Sequence, residues 1–239
     1  FGNKLARKGY VFLALDLPGQ GGSEGETKNS HVVHINNAEE YLRYISGFLK
    51  DVVEPVRVGS LFLTGHSLGA ALLSLVQATE EYKVCAAHFL SIAPLVKLTK
   101  MPPRTAAMAL HLATAALTMT KAGKVKFGKK RADGTYLSAA FIHTLFEITG
   151  RLKKLPRNSI ATPTTLVILG DDTLVSGPDA TEFFGRSVVG FVPSNVIQLE
   201  GVGHNCRRQG RPVVGELADI AVTCFRTTAC PVGASSPCC

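Results

Sequence analysis

The sequence has no Cys-x-x-Cys pair, and its six cysteines follow no metal-ligand spacing. Four of them, Cys224, Cys230, Cys238 and Cys239, fall in the last sixteen residues, which is not how a small secreted disulfide framework spaces its cysteines. Cys85 is left for the core, and Cys206 stands two residues from a histidine. No metal site is expected. Nor is there an apolar run long enough to span a bilayer, and no internal repeat that would indicate a solenoid. Acid is scarce in one region: between Lys97 and Arg157, thirteen Lys and Arg face only Asp133 and Glu147. That segment carries +11 in a chain of net charge +8, so the remainder stands at −3. A uniformly basic protein would point to nucleic acid. Basicity confined to one insert does not, and two readings stay open: a local anionic partner, such as a membrane surface or phosphate head group, or a solvated face without a partner. The chain opens on Phe1 rather than Met. The natural start is expected upstream, so a signal peptide cannot be judged from this sequence. A cytoplasmic or peripheral-membrane setting is expected.

What is present is enough for one full core: 239 residues, 46% of them hydrophobic. Short apolar runs of strand length alternate with helical patterns. The strands are read at Tyr10–Leu17, Ser60–Thr64, Val84–Ile92, Thr164–Leu169 and Asn195–Leu199. The helices are read at Asn37–Val52, Leu68–Tyr82, Asp179–Val188 and Pro212–Phe225. This alternation implies an α/β fold with a mostly parallel sheet. The stretch from Lys97 to Thr162 leaves a strand and returns to one with no strand of its own. It holds an apolar helix at Arg104–Thr120, a Lys/Gly-rich link and a second helix, and reads as an inserted helical cap. The organisation expected is therefore a first core part at 1–96, the cap at 97–162, a second core part at 163–226 and a tail at 227–239. The tail is small and polar and reads as disordered. Its terminal Cys-Cys is either a lipid acceptor or an unmodified frayed end.

Within "LFLTGHSLGAALLSL", residues 61–75, the pattern changes from strand to helix at Ser67. Gly65-His66-Ser67-Leu68-Gly69 is a G-x-S-x-G at that change, the signature of a nucleophile elbow. The turn pushes the Ser67 hydroxyl out of the sheet, and residues two before and two after it are expected to be small so that the chains can pass. The helix start adds unpaired N–H groups suited to developing negative charge. A capping serine in a glycine turn is the plainer alternative. A serine hydroxyl needs a base to take its proton. Of seven histidines, His204 alone lies on a glycine-rich loop after the last strand, in "EGVGHNC", where a parallel sheet keeps its chemistry. His66 is fixed by the turn with its ring pointing away from Ser67 and reads as structural or substrate-lining. His88, His111 and His143 read as core or surface, and His31 and His34 precede the second helix. The base in turn needs a third group, for which "LVILGDDTLVS" offers Asp171 or Asp172 past a strand end. The order Ser, Asp, His is that of the α/β-hydrolase triad.

These motifs together resemble the α/β-hydrolases of the monoacylglycerol lipase and bacterial lysophospholipase group, which includes serine aminopeptidase S33-type members. "GYVFLALDLPGQGGSEG" is similar to that group's fourth strand and its D-x-x-G-x-G-x-S loop, at Asp16, Gly19, Gly21 and Ser23. "TGHSLGAALL" resembles its elbow, "FLSIAPLV" its sixth strand, "LVILGDDTLVS" its acid loop and "LEGVGHN" its histidine loop. The resemblance runs from Phe1 to about Phe225 and is weakest in the cap. It implies an α/β-hydrolase fold and selects Asp172, because the group's acid loop reads Asp-x-x-Val and Val175 follows. It also implies hydrolysis of a lipid carboxylic ester by Ser67, His204 and Asp172. The Leu68 N–H would stabilise the oxyanion, with no metal and no organic cofactor. The group's first three strands, including the central third strand and the oxyanion loop after it, have no counterpart here. Incomplete folding or weak activity of this chain is therefore expected. A different serine hydrolase (short-chain esterase, thioesterase or peptidase) and a non-catalytic scaffold are the competing readings.

Overall fold

The computed structural model describes residues 1–18, 20–23, 32–57, 59–99, 104–119, 126–127 and 136–228. In chain order the elements are α1 (Gly2–Ala6), β1 (Val32–Val33), α2 (Ala38–Gly47), α3 (Glu54–Val56), β2 (Phe62–His66), α4 (Leu68–Ala78), β3 (His88–Ile92) and α5 (Arg104–Met119). They continue with β4 (Lys126–Phe127), β5 (Tyr136–Ser138), α6 (Ala139–Lys154), β6 (Thr164–Leu169), α7 (Gly177–Ser187), β7 (Val196–Leu199), β8 (Val202–Gly203), β9 (Arg207–Arg208), β10 (Arg211–Pro212) and α8 (Val214–Thr228). A π-helical turn over Phe48–Val53 extends α2.

The main sheet is parallel, in the order β2-β3-β6-β7. Its central strands are covered on both faces, and so their residues are buried without alternation, the polar His88 and Ser91 of β3 included. All five residues of β3 are buried, as are Leu166, Val167 and Leu169 of β6. The helices are placed by their caps as much as by their apolar stripes. The Asn37 side chain accepts the Glu40 N–H, and the Glu40 carboxylate accepts the Asn36 N–H in return. Ser138 accepts the Phe141 N–H at the start of α6, and Ser176 accepts that of Asp179 in α7. Each such cap satisfies an N–H that the helix leaves open and contributes about 1 kcal/mol.

Two expectations are corrected. Tyr10–Leu17 is not a strand, and Val11 is 77% exposed. A strand needs a ladder partner, and among the described residues none lies beside this segment. Tyr10 anchors it to the core edge-on to Phe62 and Phe225, and Phe12 lies edge-on to Phe1. The segment 97–162 does contain strands. β5 pairs with β1 in parallel and with β4 in antiparallel fashion, so the insertion is stitched to the chain just before α2. Its ends are also tied down, by bridges from Leu98 to Val175 and from Ile160 to Val188.

Of the two inserted helices, α6 is the one bound to the body. Arg151 Nη1 donates to Glu39 on α2 at 3.0 Å, and its other nitrogens donate to Glu147. Glu147 also accepts the Ala38 N–H. Helix α5 packs on α6, with the rings of His111 and His143 stacked at a centroid distance of 4.8 Å. Lys121, Lys124, Lys129, Lys130 and Arg131 of the basic link, and Cys230, Cys238 and Cys239, lie outside the described residues. No described helix is long and apolar enough to cross a membrane.

Histidines whose pKa is pushed down in the fold set the response to acid. His88 Nε2 lies 3.0 Å from Thr165 Oγ1, and its Nδ1 is buried without a partner. Burial pushes the His88 pKa down, and burial is also the leading cause of the same shift at His143 and His66. The unfolded chain takes up protons near the ordinary histidine value of about 6.5, and the folded chain resists them. Stability is therefore complete above that value and is lost as pH falls through it. The melting temperature is expected to hold between pH 8 and 7 and to fall between about pH 7 and 5.5. His88→Gln, which keeps a polar nitrogen in reach of Thr165, should flatten that fall. A melting temperature that rises on acidification over this window would contradict the assignment.

Candidate active site

Ser67 sits between β2 and α4 with φ 53° and ψ −117°, in the left-handed half of backbone space that L-residues avoid. Three backbone hydrogen bonds hold it there. Its N–H donates to Ile92 O at 2.9 Å, and its carbonyl accepts from Ala71 N and Leu95 N, both at 3.1 Å. The turn ties the nucleophile candidate to the end of β3 as well as to its own helix. Gly65 is required by close approach, since a Cβ there would stand 2.6 Å from Ala70 Cα and 2.7 Å from Ala70 N. At Gly69 a Cβ would meet open space. The expectation that both flanking residues must be small therefore holds at Gly65 and is corrected at Gly69. Leu68 opens α4, and its N–H is among those the helix leaves unpaired.

His204 occupies the tip of a hairpin too short to read from the sequence, between β8 and β9. Cys206, at φ 54°, closes the tip by donating its N–H to Gly203 O. His204 Nδ1 donates to Asp172 Oδ2 at 2.7 Å, and His204 Nε2 lies 2.9 Å from Ser67 Oγ. With Nδ1 carrying the proton, the neutral ring presents Nε2 as an acceptor to the Ser67 hydroxyl. The His204 and Asp172 side chains are only 13% and 5% exposed. The second oxygen of Asp172 accepts from Leu174 N (2.8 Å) and Val175 N (3.1 Å), which fixes the carboxylate. Asp171 is exposed, and its backbone N–H donates to Val202 O.

What the His66 ring reaches is not legible in the sequence. Its Nε2 donates to the His204 carbonyl at 2.9 Å, and the two rings lie 5.0 Å apart. The other histidines lie elsewhere. His88 is under Thr165, His34 bonds Ser138 Oγ, and His111 and His143 pair in the insertion, while His31 is outside the described residues. Among the described residues there is no cluster of three or more His, Cys, Asp or Glu that could hold a metal. A cavity of about 660 Å³ lined by Lys4, Ile197, Glu216 and Ile220 lies between α1, β7 and α8, and none of Ser67, Asp172 or His204 lines it.

The profile of the serine aminopeptidase, S33, family matches residues 1–190, and the chain belongs to that family. No curated protein matches it. Among solved structures it is similar to the monoacylglycerol lipase of Paleococcus ferrophilus, with 18% identity and a TM-score of 0.64 over 87% of this chain and 80% of that one. A soluble variant of the Saccharomyces cerevisiae monoglyceride lipase, in complex with a substrate analogue, is 15% identical (TM-score 0.63, 89% and 76% covered). Est1E of Butyrivibrio proteoclasticus, with ferulic acid bound, is 16% identical (TM-score 0.58, 94% and 81% covered). At these identities the likeness defines the fold, which is that of the α/β hydrolases. The chain is a hydrolase of a lipase- and esterase-like family.

The two elbow glycines give a direct check on this geometry. Gly65→Ala is expected to lower the unfolding free energy by about 1–3 kcal/mol, because its methyl meets rigid backbone. Gly69→Ala is expected to be neutral or to stabilise by up to about 1 kcal/mol, because alanine favours helix. Urea unfolding midpoints measure both. Equal losses at the two positions would contradict the asymmetry.

Proposed function

We propose that the chain is a serine hydrolase acting on lipid carboxylic esters, of the monoacylglycerol lipase or lysophospholipase kind. The observation that carries this reading is the unbroken hydrogen-bond series from Ser67 Oγ through His204 to Asp172. In this mechanism Ser67 Oγ attacks the ester carbonyl while His204 Nε2 takes its proton. The carbonyl π electrons move onto oxygen, and the Leu68 N–H at the start of α4 stabilises that oxyanion. The tetrahedral species collapses to an acyl-serine, and His204 returns the proton to the leaving alcohol. Water, deprotonated by His204, then releases the acid and restores Ser67. Asp172 holds the ring in the required tautomer and stabilises the imidazolium. The names of the similar solved structures support a lipid ester as substrate. The charge of the basic link supports an anionic membrane surface as the place where it is met.

The test is turnover of p-nitrophenyl esters of rising chain length. Ser67→Ala and His204→Ala should each cost about 10⁴-fold or more in kcat, Asp172→Asn somewhat less, and the losses should not add. Activity should favour long acyl chains over short ones and over aminoacyl amides. Preference for an aminoacyl amide would turn the reading toward a peptidase. A crippling Asp171→Ala beside a mild Asp172→Asn would overturn the choice of acid.

A further inference from the structure

Ser67 and His204 reach each other from turns 137 residues apart in sequence. Among the described residues two hydrogen bonds join the elbow to the histidine hairpin. One is the Ser67–His204 contact, which is made and broken in every turnover of the proposed reaction. The other runs from His66 Nε2 to the backbone carbonyl of His204 and takes no part in proton transfer. We propose that His66 is a positioning residue whose Nε2–H clamps the His204 carbonyl, holding that peptide so that the His204 ring stays within reach of Ser67 Oγ.

The local backbone shows why a clamp is needed. Gly203 precedes His204 and Gly201 stands at φ 67°, so the chain is permissive on the side leading into the base, while Cys206 after it is held at φ 54°. Asp172 fixes the ring at Nδ1 and the Cys206 N–H closes the tip on Gly203 O, but neither of these holds the His204 carbonyl. The clamp fixes the peptide as well. A carbonyl can only accept, so His66 Nε2 carries the hydrogen and the neutral ring leaves Nδ1 bare. Cys206 Sγ, 3.9 Å from the same oxygen, is a weak second donor at most. His66 is exposed, and the desolvation that its ring does suffer pushes its pKa down, with the nearby His204 ring adding to this. The position in the motif accounts for the geometry: in G-x-S-x-G the residue before the serine projects away from the nucleophile, which here is toward the hairpin.

This inference rests on the role proposed above for Ser67, His204 and Asp172, and its test separates the two. Three variants of the full chain are made. His66→Gln carries its amide nitrogen as many bonds from Cα as imidazole Nε2. His66→Asn carries it one bond short, and His66→Leu has no donor. Ester turnover is measured together with the proton resonance of His204 Nδ1–H, the hydrogen shared with Asp172. Leu and Asn should lose about 10- to 100-fold in kcat, as expected when a reacting group is displaced by up to about 1 Å, with KM within about twofold. In both, the Nδ1–H resonance should broaden by exchange with water. Gln should recover kcat to within about threefold, about 0.65 kcal/mol of barrier, and should sharpen the resonance. Equal behaviour of Gln and Leu, or a loss confined to KM, would overturn the clamp. If the parent chain hydrolyses no ester, the functional reading fails, and the resonance alone decides the clamp: sharp in parent and Gln and broad in Leu supports it, while sharp in all refutes it.

Discussion

Ser67 holds a backbone conformation that costs on the order of 1–3 kcal/mol in an L-residue. The surrounding structure over-determines it. Ile92 at the end of β3 takes its N–H, while Ala71 on α4 and Leu95 beyond β3 both donate to its carbonyl. Gly65 lets α4 start within van der Waals contact of β2. These contacts convert the burial of a parallel sheet into an outward-pointing hydroxyl at the strand ends. Everything else at the site is arranged to meet that hydroxyl. The acid loop after β6 and the histidine hairpin after β7 come from strands further along the same sheet, and both deliver their side chains at its carboxyl end.

The insertion divides into a fixed part and an added part. Helix α6 is bound to α2 through the Arg151–Glu39 and Glu147–Ala38 contacts and is further held by the small sheet at its start. Helix α5 packs on α6 and exposes Leu112 at 61%. The ends of the insertion are pinned near Val175 and Val188. The pinning at Val175 lies next to Asp172, whose carboxylate accepts the Val175 N–H. The base of the insertion and the candidate acid thus share one backbone segment.

The central strands were legible because burial on both faces forces a continuous apolar run, as at Thr164–Leu169, where the expected and observed bounds coincide. Tyr10–Leu17 carries the same kind of run and is not a strand. Apolar composition reports a wish to be buried, and pairing depends on a neighbour elsewhere in the chain. The strands of the insertion, β4 and β5, and the hairpin β8–β10 are two or three residues each, below the length at which a period can be read. At the candidate site the types and order of Ser67, the two acids and His204 are sequence properties, and the distances between them are not. Choosing Asp172 over Asp171 needed a resemblance, since both stand past the strand end. The partner of His66 had no sequence signal, because it is a backbone carbonyl 138 residues away. The freedom at Gly69 was equally hidden, since a five-residue pattern does not say which of its glycines meets a wall.

The central claim is that Ser67 is a nucleophile made reactive by His204. A fluorophosphonate, which forms a stable bond only with an activated serine, tests it directly when the labelled chain is digested and the adduct mapped by mass spectrometry. The account predicts a single adduct on Ser67, formed quickly in the parent chain and slowed by at least about 10³-fold in His204→Ala. An adduct on another serine, or labelling of Ser67 at the same rate with and without His204, would contradict it.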